Sequence, residues 1–233
     1  MRFVSKTVVY LSVFVLVYCT LGCGTSKSMK DAIKSGDLAE VQRRILHGYD
    51  LKSDFSSPGF PGGTLLHYVA GKYSPENLEK GDGKKHPDLK KNYIAITKYI
   101  LNAGADLNAK MKDGRTPLHL AINQEAPEIA KLLIAHGANV NAAEMRGWTP
   151  LMYAANECKT DLCKLLLEKR ASVNQLNDKG RNAAQLISTN LDGADPTARL
   201  LLKHGADINN IDKDGKSVNK KWLAERMPKS KSL

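Results

Sequence analysis

The sequence predicts an all-α solenoid: about five helix-turn-helix units stacked in a row, closed by a partial C-terminal cap and preceded by a short N-terminal signal helix. Three observations predict it. The phrase TPLHLA at 116–121 returns as TPLMYA at 149–154, and in weaker form as TLLHYV at 64–69, NAAQLI at 182–187 and SVNKKW at 217–222, at intervals of 52, 33, 33 and 35 residues. A second phrase runs in step with it: HGYDL at 47–51, NAGADLN at 102–108, AHGANVN at 135–141, EKRASVN at 168–174 and KHGADIN at 203–209. Composition is the third, since 42% apolar, 25% charged and 6% aromatic residues suit a folded soluble chain and exclude collagen, disorder and a multi-span membrane protein. A fixed period near thirty-three residues means that each unit buries its apolar face only against its neighbours.

Unit one runs from Ser28 to Asp54, with a short first helix, a turn at Gly36-Asp37, and Val41 and Ile45 lining the second helix. Unit two starts at Thr64 and closes at Asn108, and carries extra chain between its helices. That insertion, 71–91, is rich in Gly, Pro and charge and reads as an exposed loop. Units three and four begin at Thr116 and Thr149. Thr116 caps its helix through the hydroxyl, Pro117 fits the first helical position, and Leu118 and Ala121 face the next unit. In the second helix, Glu128 to Ala135, Ile129, Leu132 and Leu133 recur at helical spacing, and Gly137 supplies a left-handed end. Asp113-Gly114 and Lys179-Gly180 are turn dipeptides at projecting tips. Unit five begins at Asn182, turns at Asp192-Gly193 and opens its second helix at Asp195-Pro196. Ser217 to Arg226 supplies the partial cap helix, so the repeat domain spans 29–226 and a basic tail covers 227–233. Arg170 stands where the other units have Gly48, Gly104, Gly137 and Gly205, and is expected to adopt the positive φ those glycines provide.

Ahead of the repeats, Arg2 and Lys6 precede an uncharged run from Thr7 to Gly22, the basic and apolar regions of a secretory signal. As a helix that run reaches about 24 Å, short of the roughly 30 Å of a bilayer core. Leu21-Gly22-Cys23-Gly24 resembles the lipobox of bacterial lipoproteins, although Thr20 and Leu21 depart from its usual residues. The resemblance implies a signal peptide at 1–22, a lipid on Cys23, a linker at 23–28, and a fold held at the bacterial envelope, periplasm-facing on the outer membrane. An ordinary cleaved signal with Cys23 incidental, and an uncleaved membrane helix, are the competing readings.

The two phrases together resemble the ankyrin repeat over nearly all of 28–226. That resemblance implies a surface for another protein, built from the tips and the exposed ends of the first helices. Carried onto this chain it comprises Lys112, Asp113, Arg115, Asn123 and Gln124 in unit three, and Met145, Arg146, Trp148, Asn156 and Glu157 in unit four. Unit five adds Asp178, Lys179, Arg181 and Asn190, and the end unit Lys213, Asp214 and Lys216. Seven basic tip residues against three acidic ones, on a chain of net charge +11, predict a positive face for an acidic protein partner. Trp148 and Met145 give it an apolar centre, unless Trp148 packs against its own neighbouring tip.

Chemistry has little foothold. No Gly-rich phosphate loop, GxSxG elbow, HExxH or paired CxxC appears, so the expectation is no enzyme, no cofactor, no metal and no small-molecule substrate. Five of six histidines (His47, His67, His119, His136, His204) occupy repeat positions and are read as structural, which leaves His86 in the insertion. Cys158 and Cys163 either form a disulfide, if their Cα atoms lie within about 7 Å, or place a core Cys163 beside a semi-exposed Cys158. Nucleic acid fits the charge but conflicts with export. The resemblances leave three roles: an immunity protein that captures an antibacterial effector such as a type VI secretion phospholipase, an envelope scaffold, and an accessory in periplasmic oxidative defence.

Overall fold

The computed structural model describes residues 28–53, 55, 61–73, 88–187 and 194–217. The signal run, Cys23, His86, Asn190, Asp192-Gly193, most of the predicted cap helix and the basic tail lie outside the described residues. Among the described residues there are nine α-helices, one 3₁₀ turn and no strand, so the all-α repeat architecture is as expected.

Helices α1 (Met29–Lys34) and α2 (Leu38–Leu46) form unit one, and α3 (Leu65–Lys72) and α4 (Leu89–Asn102) unit two. Unit three is α5 (Pro117–Asn123) with α6 (Pro127–Ala135), and unit four α7 (Pro150–Asn156) with α8 (Thr160–Glu168). Unit five pairs a 3₁₀ turn (Ala183–Leu186) with α9 (Ala194–Lys203). The first helices α3, α5, α7 and the 3₁₀ turn pack one on the next, and the second helices α2, α4, α6, α8 and α9 do the same, giving two layers. Between the layers Leu118, Ile129, Leu133, Leu151 and Leu166 are fully buried, and the small Ala121, Ala130 and Ala154 let the helices approach closely.

Polar side chains then zip unit to unit. The closing asparagine of the second phrase accepts a backbone N–H from the following unit: Asn139 N–H to Asn108 Oδ1 at 2.8 Å, Ser172 to Asn141 at 2.7 Å, Asp207 to Asn174 at 2.7 Å. The phrase TPLH ends in a second bridge. The Thr116 backbone N–H donates to His119 Nδ1 at 3.1 Å, which fixes the tautomer, so the Nε2–H donates to the Trp148 carbonyl of the next unit, also at 3.1 Å. His67 repeats this arrangement onto Arg115 O, and Gln185 reproduces it in unit five, accepting from Asn182 N–H and donating to Lys216 O.

Two expectations on the fold need correction. The first helix of unit five is a single 3₁₀ turn, because Ile187 leaves it with an extended ψ of 124°; the turn is held by Asn182 Nδ2 donating to Asp207 O of the same unit at 2.7 Å and by Gln185 Nε2 donating to Lys216 O of the next finger at 3.1 Å. The insertion is also shorter than the exposed loop expected at 71–91. Gly71 and Lys72 complete α3, and Leu89–Lys91 already belong to α4. Tyr73 is buried: it packs edge-on against Tyr93 at 6.0 Å and donates its hydroxyl to Glu128, which Lys90 holds at 2.7 Å. Apolar area and that hydrogen bond tie both ends of the insertion to the body.

Arg170 has φ +64°, and Gly48, Gly104, Gly137 and Gly205 lie at +82° to +89° with open space where a Cβ would stand. A branched-off Cβ in this region costs about 1 kcal/mol relative to glycine. Arg170→Gly is therefore expected to stabilise the fold by roughly that amount, read as a rise of a few degrees in the thermal midpoint. An unchanged or lowered midpoint contradicts the assignment of strain.

Candidate protein-binding surface

Between successive units the chain turns through a finger. In each, one backbone bond closes a hairpin: Met111 N–H to Arg115 O at 2.9 Å, Glu144 to Trp148 at 3.1 Å, Asn177 to Arg181 at 3.0 Å and Asp212 to Lys216 at 2.8 Å. Another bond stacks each finger on the one before: Lys112 N–H to Pro61 O, Met145 to Asp113, Asp178 to Arg146 and Lys213 to Lys179, all between 2.9 and 3.0 Å. Gly114 and Gly147 are required twice over at the tips. Their φ values are +82° and +74°, and a Cβ on either would stand 3.0 Å from the backbone of the next finger.

Side chains at the finger base make the turn rigid. Glu144, Asn177 and Asp212 are buried, and each accepts two backbone N–H groups of its own finger: Arg146 and Trp148, Lys179 and Arg181, Asp214 and Lys216. The Lys216 N–H and the Arg181 guanidinium hold the Asp212 carboxyl below its usual range. Sequence reasoning passed over these residues, whose signal is an acid or amide three positions after the closing asparagine of the second phrase. Asn177 Nδ2 is buried without a hydrogen-bond partner among the described residues.

The charge of this face differs from the expectation. Arg115 pairs with Asp113 at 2.6 Å, Arg181 with Asp212 at 2.5 Å and with Asp214 at 3.0 Å, and Arg146 lies 3.7 Å from Glu144. The buried acids Glu144 and Asp212 had not been counted, so the fingers hold their arginines in place by internal neutralisation. What projects as positive charge is Lys112, Lys179, Lys213 and Lys216, all exposed and in no ion pair among the described residues. Asn123 is exposed, Gln124 half-buried, and the half-buried Asn156 and Glu157 bond to each other at 2.7 Å, so the first-helix ends add little open polar surface.

Apolar area is the larger signal. Met145 is 74% exposed, Ile211 66% and Leu176 48%, whereas Trp148 is half-buried and leans on the Tyr153 ring at 5.2 Å. Tyr153 in turn stands edge-on to His119 at 5.7 Å. Trp148 thus rests in part on α7 of its own unit. Leu176 and Ile211 were missed; they share one finger register with Lys110 and Ala143, and a large apolar residue at a register filled elsewhere by lysine is the cue that could have found them.

Of the two alternatives for Cys158 and Cys163, the structure has the one without a disulfide. Cys158 sits in the turn before α8 with φ +51° and Cys163 faces the core from inside α8, both buried, so the semi-exposed Cys158 is corrected. Burial pushes the Cys163 thiol up to about 12. In the native protein at pH 8 a disulfide-exchange reagent is expected to leave Cys163 untouched and to titrate it only in denaturant; rapid native labelling contradicts this. Among the described residues no group of three or more His, Cys, Asp or Glu is gathered as a metal ion requires, and no helix is long and apolar enough to cross a membrane.

The sequence profile described as "Ankyrin repeats (3 copies)" matches residues 89–177 and 143–212. No curated protein sequence matches the chain.

Proposed function

Because the chain belongs to the ankyrin-repeat family, for which protein binding is the general role, we propose that its finger face grips one protein partner and acts by covering it. The observation that carries this reading is the presence of exposed apolar side chains, Met145, Leu176 and Ile211, on three successive rigid fingers, two of which also carry lysines in no ion pair among the described residues. Pre-formed apolar anchors with a charged rim bind with little ordering cost. The lysine rim favours a partner with an acidic surround and gives an association rate that falls with salt. No reactive group is needed for such a role, because a rigid surface laid over an active-site mouth blocks it sterically.

The setting we propose is the bacterial envelope, with the fold exported by the 1–22 signal, held at the periplasmic side of the outer membrane through lipid on Cys23, and the partner an incoming antibacterial effector. The support is the Arg2/Lys6-Thr7–Gly22-Cys23 pattern and the absence of any catalytic motif in the sequence. Metabolic labelling with a lipid precursor, with Cys23→Ser as control, tests the anchor. Affinity purification of the tagged full-length chain, with mass spectrometry of what co-elutes, tests the partner. A secreted toxin retained stoichiometrically supports the effector role. Recovery of resident envelope-assembly proteins in its place overturns that role and favours a scaffold.

A further inference from the structure

The strongest unassigned charge lies on the opposite layer from the first helices. Counting six residues back from Gly104, Gly137, Arg170 and Gly205 gives Lys98, Lys131, Lys164 and Arg199, one on each of α4, α6, α8 and α9. All four are exposed. Helices packed side by side lie about 8–10 Å apart, so the fold lines these cations into a row roughly 25–30 Å long. Lys98, Lys131 and Lys164 are in no ion pair among the described residues, and the exposed Lys169 and Lys203 flank the row. Exposed acids on this layer, among the described residues, are Asp88 at the start of α4, Asp161 and Glu168, and Glu128 is taken up by Lys90. The layer therefore keeps a positive excess of its own, apart from the lysine rim of the fingers.

Along the middle of the row, Lys131, Lys164 and Lys169 border a groove of about 340 Å³ between α6 and α8 that is also lined by the apolar Ile134 and Leu165 and by the acids Asp161 and Glu168, which leaves its lining one cation in excess. We propose that this outer-helix row is a docking surface for an anionic phospholipid bilayer, with phosphate headgroups between successive cations. A bilayer answers a straight, evenly spaced row because it presents negative charge along a plane, and each lysine brought to such a surface strengthens partition about fivefold. The chain itself brings the fold to that plane. Its apolar run ends at Gly22 and α1 begins at Met29, so six intervening residues keep a membrane-held fold within about 20 Å of the headgroups. Docked this way, the first-helix layer faces the aqueous side. The proposal shares with the preceding section the holding of the fold at a bilayer through its N-terminal segment, and is independent of what the fingers bind.

Sedimentation of the full-length chain with vesicles of phosphatidylcholine alone, and with about one-third phosphatidylglycerol added, separates the contributions. The apolar run partitions into both; the cation row responds only to the second. The wild type is expected to bind phosphatidylglycerol vesicles at least tenfold more strongly, with the excess abolished by high salt. Lys98→Glu, Lys131→Glu and Lys164→Glu together should remove that excess, the milder Lys131→Gln with Lys164→Gln should remove a proportionate part, and Lys112→Glu, Lys179→Glu and Lys213→Glu, equal in charge change, should keep it. Wild-type binding indifferent to phosphatidylglycerol, equal losses in both triple variants, or a loss confined to the finger variant each overturn the proposal. Lipid labelling at Cys23 and partner capture are read separately, so failure here is distinguishable from failure of the functional reading.

Discussion

Truncating His119 to alanine is expected to lower the unfolding free energy by about 3–4 kcal/mol, the largest single-site loss outside the apolar core. The ring is fully buried and joins three groups, the Thr116 N–H, the Thr116 hydroxyl at 2.9 Å and the Trp148 carbonyl. Its removal leaves the N–H and the carbonyl buried without partners, at about 1–3 kcal/mol each, and opens a cavity against Tyr153. His119→Gln should recover most of the loss, since Gln185 already makes the same two bonds in unit five. Burial also pulls the His119 imidazole down to about 4, while in the unfolded chain it titrates near 6.5. Between those values the unfolded state takes up a proton that the native state refuses. Stability from this residue is complete above pH 6.5 and falls by about 3 kcal/mol as the pH drops to 4, with His67 shifted in the same direction by burial. Urea titrations at pH 7 and 4.5 should show a smaller drop for His119→Gln than for the wild type; identical drops contradict the assignment.

Exchanging the three exposed finger anchors for acids, Met145→Glu, Leu176→Glu and Ile211→Glu, is expected to weaken partner binding at least a hundredfold with the thermal midpoint unmoved. These side chains are 48–74% exposed, so the fold loses little when they change. A bound partner that covers them gains on the order of 1–2 kcal/mol from each, and the added negative charge then repels an acidic rim. Trp148 is a less clean probe, because its ring packs on Tyr153 and truncation would loosen the stack. Titration calorimetry of the triple variant against the co-purified partner checks this; affinity within threefold of wild type removes the finger patch from the account.

The solenoid was legible in the sequence because repetition itself is the signal. A threonine cap, a proline at the first helical position, small alanines and a glycine exit recur at one period, and each does locally what the stack needs globally. The same frame puts Arg170 at the left-handed turn position, where it has φ +64°. Unit five escaped it, because with a single turn Asn182 bonds the backbone of its own closing phrase and Gln185 that of the next finger, so no further helix is required to hold Ala183 and Leu186 in the core. At the surface, counting tip charges overlooked Glu144 and Asp212, which turn inward and neutralise the arginines beside them. Exposure of Leu176 and Ile211, and the alignment of Lys98, Lys131, Lys164 and Arg199, depend on which way each register points, which spacing alone leaves open.

Hydrogen–deuterium exchange of the full-length chain, free and bound to its captured partner, tests the central claim most directly. The account predicts new protection confined to the finger amides at 143–148, 176–181 and 211–216, with α6, α8 and α9 unchanged. Protection appearing on those outer helices while the fingers exchange as in the free chain would contradict it.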